Sequence, residues 1–383
     1  MEPLATDRNL DATVDASIKQ AFEIMNQARG LRTRPEKVGR KQFSRLLKDP
    51  KSIEATMALT DEVMRINSTR DAIRIFRDAK KNVSTRGFGL KNAAGIRIVG
   101  GVSRPLPRTA LKILHSQVRR QSRQLILPAE NAKLAKFLAE EKSKGLALNI
   151  NVLGEAVLGE NEASERLSRI TEMIARTEVN YVSVKLSSIT SQLIAIDHEG
   201  SLVRVSEKLR EIYRAAIAHQ TFINLDMEEY RDLALTVGAF MRVLSEEEFS
   251  HLEAGIVLQA YLPESHQAFE HLAEWAVKRN RQFGSSIKIR LVKGANLAME
   301  HAEALMHGWV AAPYPTKADV DASYARLIDL ALRPEFASAL RIGIASHNLF
   351  HITWAIEVAR SRGVSHQIDI EMLEGMAGAE ARA

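Results

Sequence analysis

Apolar and polar positions fall into two textures that divide near Gly145. Upstream, apolar residues recur at three- and four-residue spacings. Ile18, Phe22, Ile24, Met25 and Leu31 fall roughly on one stripe of SIKQAFEIMNQARGLRT. Phe43, Leu46 and Leu47, then Ile53, Met57, Val63, Met64 and Ile66, continue the pattern. Such spacing predicts amphipathic helices. Gly87, Gly89, Gly95, Gly100 and Gly101, with Pro105 and Pro107, predict loop or short elements between Asn82 and Pro107. A basic helix is expected from about Arg108 to Gln124. Pro128 opens another, ending before Gly145.

Downstream, short apolar runs alternate with segments of helical period. The runs are LALNINVLG, YVSVKLS, TFINLDM, GIVLQAYL, SIKIRLVKG, LRIGIAS and HQIDIEML. Between them lie stretches such as NEASERLSRITEMIARTE and HQAFEHLAEWAVKRNR. Strands separated by helices predict βαβ units and a parallel sheet. Seven such strands joined in series by right-handed crossovers point to an α/β fold of the (βα)8 TIM-barrel type, one strand short of closure. The last segment, GMAGAEARA, does not read as an eighth strand. The expected organisation is a basic, mainly helical arm over 1–145 and a barrel over 146–383.

Composition narrows this further. Forty-five per cent of residues are apolar and 26% charged, an ordinary globular balance. The absence of cysteine excludes disulfides, thiolate metal sites and a cysteine nucleophile. The opening MEPLATDRNL lacks the apolar core of a signal peptide, and no apolar run is long enough to span a bilayer. A cytoplasmic location, with peripheral membrane association left open, is the expectation.

The net charge of +6 conceals an asymmetry. Residues 1–130 hold 26 Lys and Arg against 13 Asp and Glu, whereas the remainder holds 27 against 34. No acid occurs between Asp78 and Glu130, across which eleven basic residues run from Lys80 to Arg123. Contact with an anionic cofactor, membrane, nucleic acid or protein surface fits this excess, and so does a solvated helical face. No DNA-reading pattern accompanies it, so specific nucleic-acid binding is not expected.

A barrel enzyme assembles its site at the C-terminal ends of its strands. Those ends carry Glu155, Lys185, Asp226, Gln259, Arg290, His347 and Glu374. A charged group there costs several kcal/mol unless paired. A set of seven points to a polar mouth on an apolar barrel.

GEAVLGE (154–160), SVKLSS (183–188), INLDMEE (223–229), LQAYLPES (258–265), IRLVKGA (289–295), ASHN (345–348) and EMLEGM (371–376) carry a resemblance. In this order and spacing they resemble the proline dehydrogenase half of the bifunctional proline-utilisation flavoenzymes. The resemblance covers roughly 145–377 strongly and the preceding arm more loosely. It implies a (βα)8 barrel that binds FAD and oxidises L-proline to 1-pyrroline-5-carboxylate by hydride transfer, the first step of proline breakdown to glutamate. By it, Arg290 and Asp226 are catalytic and Lys185 pairs with the substrate carboxylate. Met227, Gln259, Lys293, Gly294, Ala295, Thr316, Lys317, Ser346 and His347 hold the cofactor. No metal is implied. Asn296 and Leu297 stand where some relatives carry aromatic residues.

The residues themselves admit blander roles. Arg290 can form a barrel-internal ion pair with Asp226, Gln259 can be a plain structural amide, and Thr316 can cap a helix. The resemblance also implies an eighth strand and a helix with paired arginines after EMLEGM, a quinone acceptor at the membrane, and a pyrroline-5-carboxylate dehydrogenase module absent from this chain. The expectation is therefore a C-terminally truncated proline dehydrogenase, prone to oligomerise. Two alternatives stand beside it: a flavin-binding but catalytically impaired fragment acting through protein contacts, and a basic-arm module for nucleic acid or anionic membrane.

Overall fold

The computed structural model describes residues 7–383 apart from 47, 60–67, 84–89, 104–106, 123–130, 153–156 and 195. Two compact units divide the chain. One holds the segment up to Ile24 together with Asn131–Met372; the other holds Met25–Glu130 and Leu373–Ala383. The boundaries between them fall at 24/25, 130/131 and 372/373.

Among the described residues seven α-helices precede the first strand: α1 (Asp7–Leu31), α2 (Arg34–Leu46), α3 (Pro50–Met57), α4 (Thr69–Ala79), α5 (Leu90–Val102), α6 (Pro107–Ser122) and α7 (Asn131–Ser143). A capping box starts α2. The Thr33 amide donates to Glu36 Oε2 at 2.7 Å, and Thr33 Oγ1 accepts the Glu36 amide at 3.4 Å. Ser68 caps α4 by accepting the Asp71 amide.

Two sequence expectations fail here, both because packing outweighs local preference. α5 runs straight through Gly95, Gly100 and Gly101, where loop was expected. Each helical glycine costs about 1 kcal/mol. Ala93 on α5 is fully buried, and Ile96 and Val99 pack against Leu59, Ala72, Phe76, Ala79 and Leu111. In α1 the buried positions are the small Ser17, Ala21 and Ala28, while Ile18, Phe22 and Leu31 stay largely exposed. Phe22 meets Phe350 edge to face, with centroids 5.8 Å apart.

All seven expected strands form: β1 (Ile150–Asn151), β2 (Tyr181–Lys185), β3 (Phe222–Asp226), β4 (Ala254–Gln259), β5 (Ile287–Val292), β6 (Leu340–Ala345) and β7 (Ile368–Glu371). They pair in chain order, every pair parallel, in one curled sheet of the barrel type. Among the described residues β1 and β7 each pair on one side only. Helices α8 (Glu160–Ile174), α9 (His198–His219), α10 (Leu233–Leu244), α11 (Ser265–Phe283), α12 (Leu297–His307), α13 (Lys317–Ala331) and α14 (Leu349–Ser361) lie between the strands, α12 and α13 both in the β5–β6 connection. A last short helix, α15, spans Gly378–Arg382.

Side chains alternate between the two faces of a strand. One face is apolar and buried: Val182, Val184, Ile223, Leu225, Ile256, Leu258, Ile289, Leu291, Ile342 and Ile344. Behind it Arg279 acts as an internal staple. Its buried guanidinium donates to the carbonyls of Leu244, Phe249 and Leu252 at 3.1, 2.9 and 2.7 Å, satisfying the end of α10 and the turn after it.

Candidate active site

The other face of the sheet is polar from β1 to β7. Asn151, Ser183, Asn224, Asp226, Lys288, Arg290, Arg341, Asp369 and Glu371 occupy alternate positions, so the pleat points them the same way. Their mutual contacts form one network. Arg290 on β5 sits at its centre. NH1 lies 3.0 Å from Asp226 Oδ1 on β3, and Nε lies 2.6 Å from Glu371 Oε2 on β7. NH2 donates to the Tyr181 hydroxyl at 2.8 Å. Lys288, two residues earlier on β5, reaches Asp369 at 2.8 Å and Glu371 Oε1 at 2.7 Å. Arg341 completes the set on Asp369 at 2.8 Å.

Three cations therefore face three carboxylates, and the charge balances. That balance is required, because Lys288 and Arg290 are almost wholly buried and an unpaired buried charge costs several kcal/mol. Burial alone would lower the pKa of both; Glu371 above all, then Tyr181, reverses the sign and holds both above their ordinary values. Tyr181 is raised by burial and then by the Glu371 charge. Its ring has Lys288 Nζ at 5.3 Å and the Arg290 guanidinium carbon at 5.7 Å, and packs edge to face on Phe222.

Asp226 is saturated with donors. Oδ1 accepts from Ser183 Oγ at 2.9 Å, Arg290 at 3.0 Å and Asn224 at 3.1 Å; Oδ2 accepts from Asn151 at 3.0 Å. Burial pushes its pKa up, and Arg290, Ser183, Asn224 and Lys185 oppose that push. Lys185, at the end of β2, forms a separate hydrogen-bonded ion pair with Glu228. Gln259 ends β4 with its amide nitrogen donating to the carbonyls of Met227 and Glu228, both at 3.2 Å. Its oxygen is buried without a partner.

The remaining expected residues gather after β5 and β6. Lys293 lies 2.5 Å from Asp321 on α13, and Lys317 pairs with the same carboxylate. Thr316 caps α13, accepting the Asp319 amide at 3.2 Å and donating to Asp319 Oδ2 at 2.6 Å. Gly294 has φ +120°, and a Cβ there would lie 2.5 Å from the Tyr261 ring. Glycine is thus required for the loop to pass Tyr261. Ala295 is exposed. Ser346 donates its amide to the Glu371 carbonyl at 3.2 Å, and its Oγ accepts the Asn348 amide at 3.0 Å; His347 beside it is exposed.

Two strand-end acids do not join this cluster as expected. Glu155 lies outside the described residues, and Glu374 is exposed and belongs to the other compact unit. Strand β7 ends at Glu371, and this is the acid that enters the network. Tyr181, Ser183, Lys288, Asp369 and Glu371 were not among the expected site residues. The signal was present in the alternation of YVSVK, KIR and IDIE, since strands of a parallel sheet are ordinarily apolar on both faces.

The description of the family whose model matches residues 134–383 reads proline dehydrogenase. The chain is 23% identical over 308 residues to the bifunctional protein PutA of Escherichia coli K12, covering 77% of this chain and 23% of that protein. It is 30% identical over 188 residues to the proline dehydrogenase of Deinococcus radiodurans, covering 48% of this chain and 52% of that protein. Proline utilization A from Corynebacterium freiburgense has 51% identity and a TM-score of 0.67, covering 70% of this chain and 28% of that one. Proline utilization A from Bdellovibrio bacteriovorus, solved after inactivation by N-propargylglycine, has a TM-score of 0.80 at 23% identity, covering 96% and 38%. At that identity the likeness shows the fold alone. The chain thus spans 23% and 52% of the lengths of these two curated relatives. No helix among the described residues is long and apolar enough to cross a membrane.

Proposed function

The chain belongs to the proline dehydrogenase family, and from that premise we propose that it oxidises L-proline to 1-pyrroline-5-carboxylate with bound FAD. The observation that carries this reading is the single connected polar network on one face of the family's barrel sheet. The residues also suit the cofactor. Gln259 keeps a buried, unpartnered oxygen, an acceptor for the imide edge of a flavin. Lys293 and Lys317 share one Asp321, which leaves a surplus positive charge for a pyrophosphate. Met227, Gly294, Ala295, Thr316, Ser346 and His347 would complete the binding residues.

When bound, FAD would supply a two-electron acceptor for the hydride that leaves proline C5, with the ring-nitrogen proton passing to water as the C=N bond forms. Lys185 offers a point charge to the substrate carboxylate, exchanging Glu228 for it. Asp226, with four donors on its two oxygens, holds Arg290 in place rather than taking the amine proton. Arg290 supplies positive charge where negative charge develops. The amine must enter neutral, so the rate rises with pH until it is deprotonated. A quinone at the membrane is the proposed final acceptor, and a pyrroline-5-carboxylate dehydrogenase the proposed consumer of product.

The test is anaerobic. FAD is titrated into the purified chain and read by flavin fluorescence; L-proline is then added and the flavin absorbance followed. Quenching followed by proline-dependent bleaching is expected. A folded protein that leaves FAD fluorescence unchanged would overturn the cofactor assignment. Binding without bleaching would leave a flavin-binding protein that is not this enzyme.

A further inference from the structure

Glu371 on β7 and Arg290 on β5 are separated by strand β6, yet their side chains meet at 2.6 Å. Gly343 makes this possible. It stands on β6 opposite Arg290 on β5 and Asp369 on β7. A Cβ at Gly343 would lie 2.4 Å from Glu371 Oε1 and 3.1 Å from Lys288 Cε. The glycine is a gap in the pleat through which a side chain from one strand crosses its neighbour to touch the next but one.

Both oxygens of Glu371 lie at ion-pair distance from a cation, Oε2 2.6 Å from Arg290 Nε and Oε1 2.7 Å from Lys288 Nζ, while Oε1 and Arg290 Nε make no aligned hydrogen bond, so the contact is one of charge. Those two cations stand two residues apart on the same face of one strand and are both buried. Like charges so placed repel strongly in a low-dielectric interior. Glu371 is the one carboxylate, among the described residues, whose ion pairs reach both. Asp226 meanwhile grips Arg290 through NH1. A planar guanidinium held by carboxylates on two sides has little freedom to rotate, and its third nitrogen is directed at Tyr181.

We propose that Glu371, reaching across β6 through the gap at Gly343, is a positioning residue that fixes the orientation and effective charge of Arg290. Its consequence for catalysis rests on the function proposed above; the clamp itself does not. Glu371→Gln keeps the shape and removes the charge. Gly343→Ala keeps the charge and closes the gap.

Two readouts separate the two claims. The first needs no flavin: phenolate absorbance of Tyr181, taken as the difference between each protein and its Y181F counterpart. Loss of the Glu371 charge should let Tyr181 ionise at lower pH in E371Q. In G343A, displacement of the carboxylate should move it the same way. The second uses the FAD-loaded protein. In both variants kcat for proline should fall roughly ten- to a hundredfold, the worth of a charge-assisted contact, with KM moving less than about threefold. Adding E371Q to an R290M background should cost no further activity.

A Tyr181 titration that ignores E371Q would overturn the clamp, whatever the flavin does. A shifted titration with unchanged kcat would overturn the positioning role. So would full additivity of E371Q and R290M. If the wild type binds no FAD, the proposed function fails, and the Tyr181 titration still decides the clamp.

Discussion

Asp232 offers a test in which titrating groups remote from it cancel. It closes the loop that follows β3, downstream of the Met227 and Glu228 carbonyls that hold Gln259. It is the N-cap residue of α10 but makes no side-chain capping hydrogen bond. Burial, and then the Glu229 charge, push its pKa to about 6 from 3.8; Glu300 and Glu228 add to this and Arg231 opposes it. The folded value lies above the unfolded one, so folding favours the protonated acid. That stability is fully present below the unfolded pKa and is lost as pH rises through about 6. At about 1.36 kcal/mol per pH unit, the rise from 3.8 to about 6 puts the loss near 3 kcal/mol, and attraction of the carboxylate to the start of α10 returns about 0.5 kcal/mol. Asp232→Asn carries no such dependence. Urea denaturation of both proteins from pH 4 to pH 8 should show them nearly equal at pH 4. Above pH 7 the variant should be ahead by about 2 to 3 kcal/mol. A stability difference that is flat across this range would refute the argument.

Other perturbations read other parts of the molecule. Arg279→Met should strand the three carbonyls that the guanidinium serves and lower unfolding free energy by about 3 kcal/mol, measured by denaturation. Gly294→Ala meets both a φ of +120° and the Tyr261 ring; a loss of at least about 2 kcal/mol and a fall in FAD content on purification are expected. Lys185→Met should raise KM for proline about tenfold while leaving the FAD dissociation constant unchanged, read by steady-state kinetics and fluorescence titration.

The architecture of the barrel was legible because its signals are local. Each strand is a short apolar run and each intervening helix an amphipathic stretch, and all seven strands emerge in order. The helical region was less legible because its outcome depends on partners distant in the chain. The glycines of α5 argue against a helix in isolation, and Ile96 and Val99 secure one by packing on residues from Leu59 to Leu111. In α1 the large apolar side chains suggested the buried stripe, yet the fold buries serine and alanines. Size and hydrophobicity mark what gains from burial, and they do not mark where a close approach needs a small side chain.

The site shows the same division. Lys185, Asp226, Gln259 and Arg290 terminate or interrupt apolar runs, so each stands out in the sequence by itself. Glu371 does not. EMLEGM offers two acids three residues apart, and a rule that looks beyond the strand selects Glu374. The pairing of Ala345 with Glu371 settles which acid lies on the polar face. Parity along the strand then carries the rest: Ile368 and Ile370 fall on one side of β7, Asp369 and Glu371 on the other. The partner of Glu371 lies two strands away and is reached only because residue 343 has no side chain. Three positions far apart in the chain thus define one contact, and their relation exists only once the register of β5, β6 and β7 is set. A buried arginine needs its countercharge from somewhere, so the sequence demands such a partner for Arg290 while leaving its address to the fold.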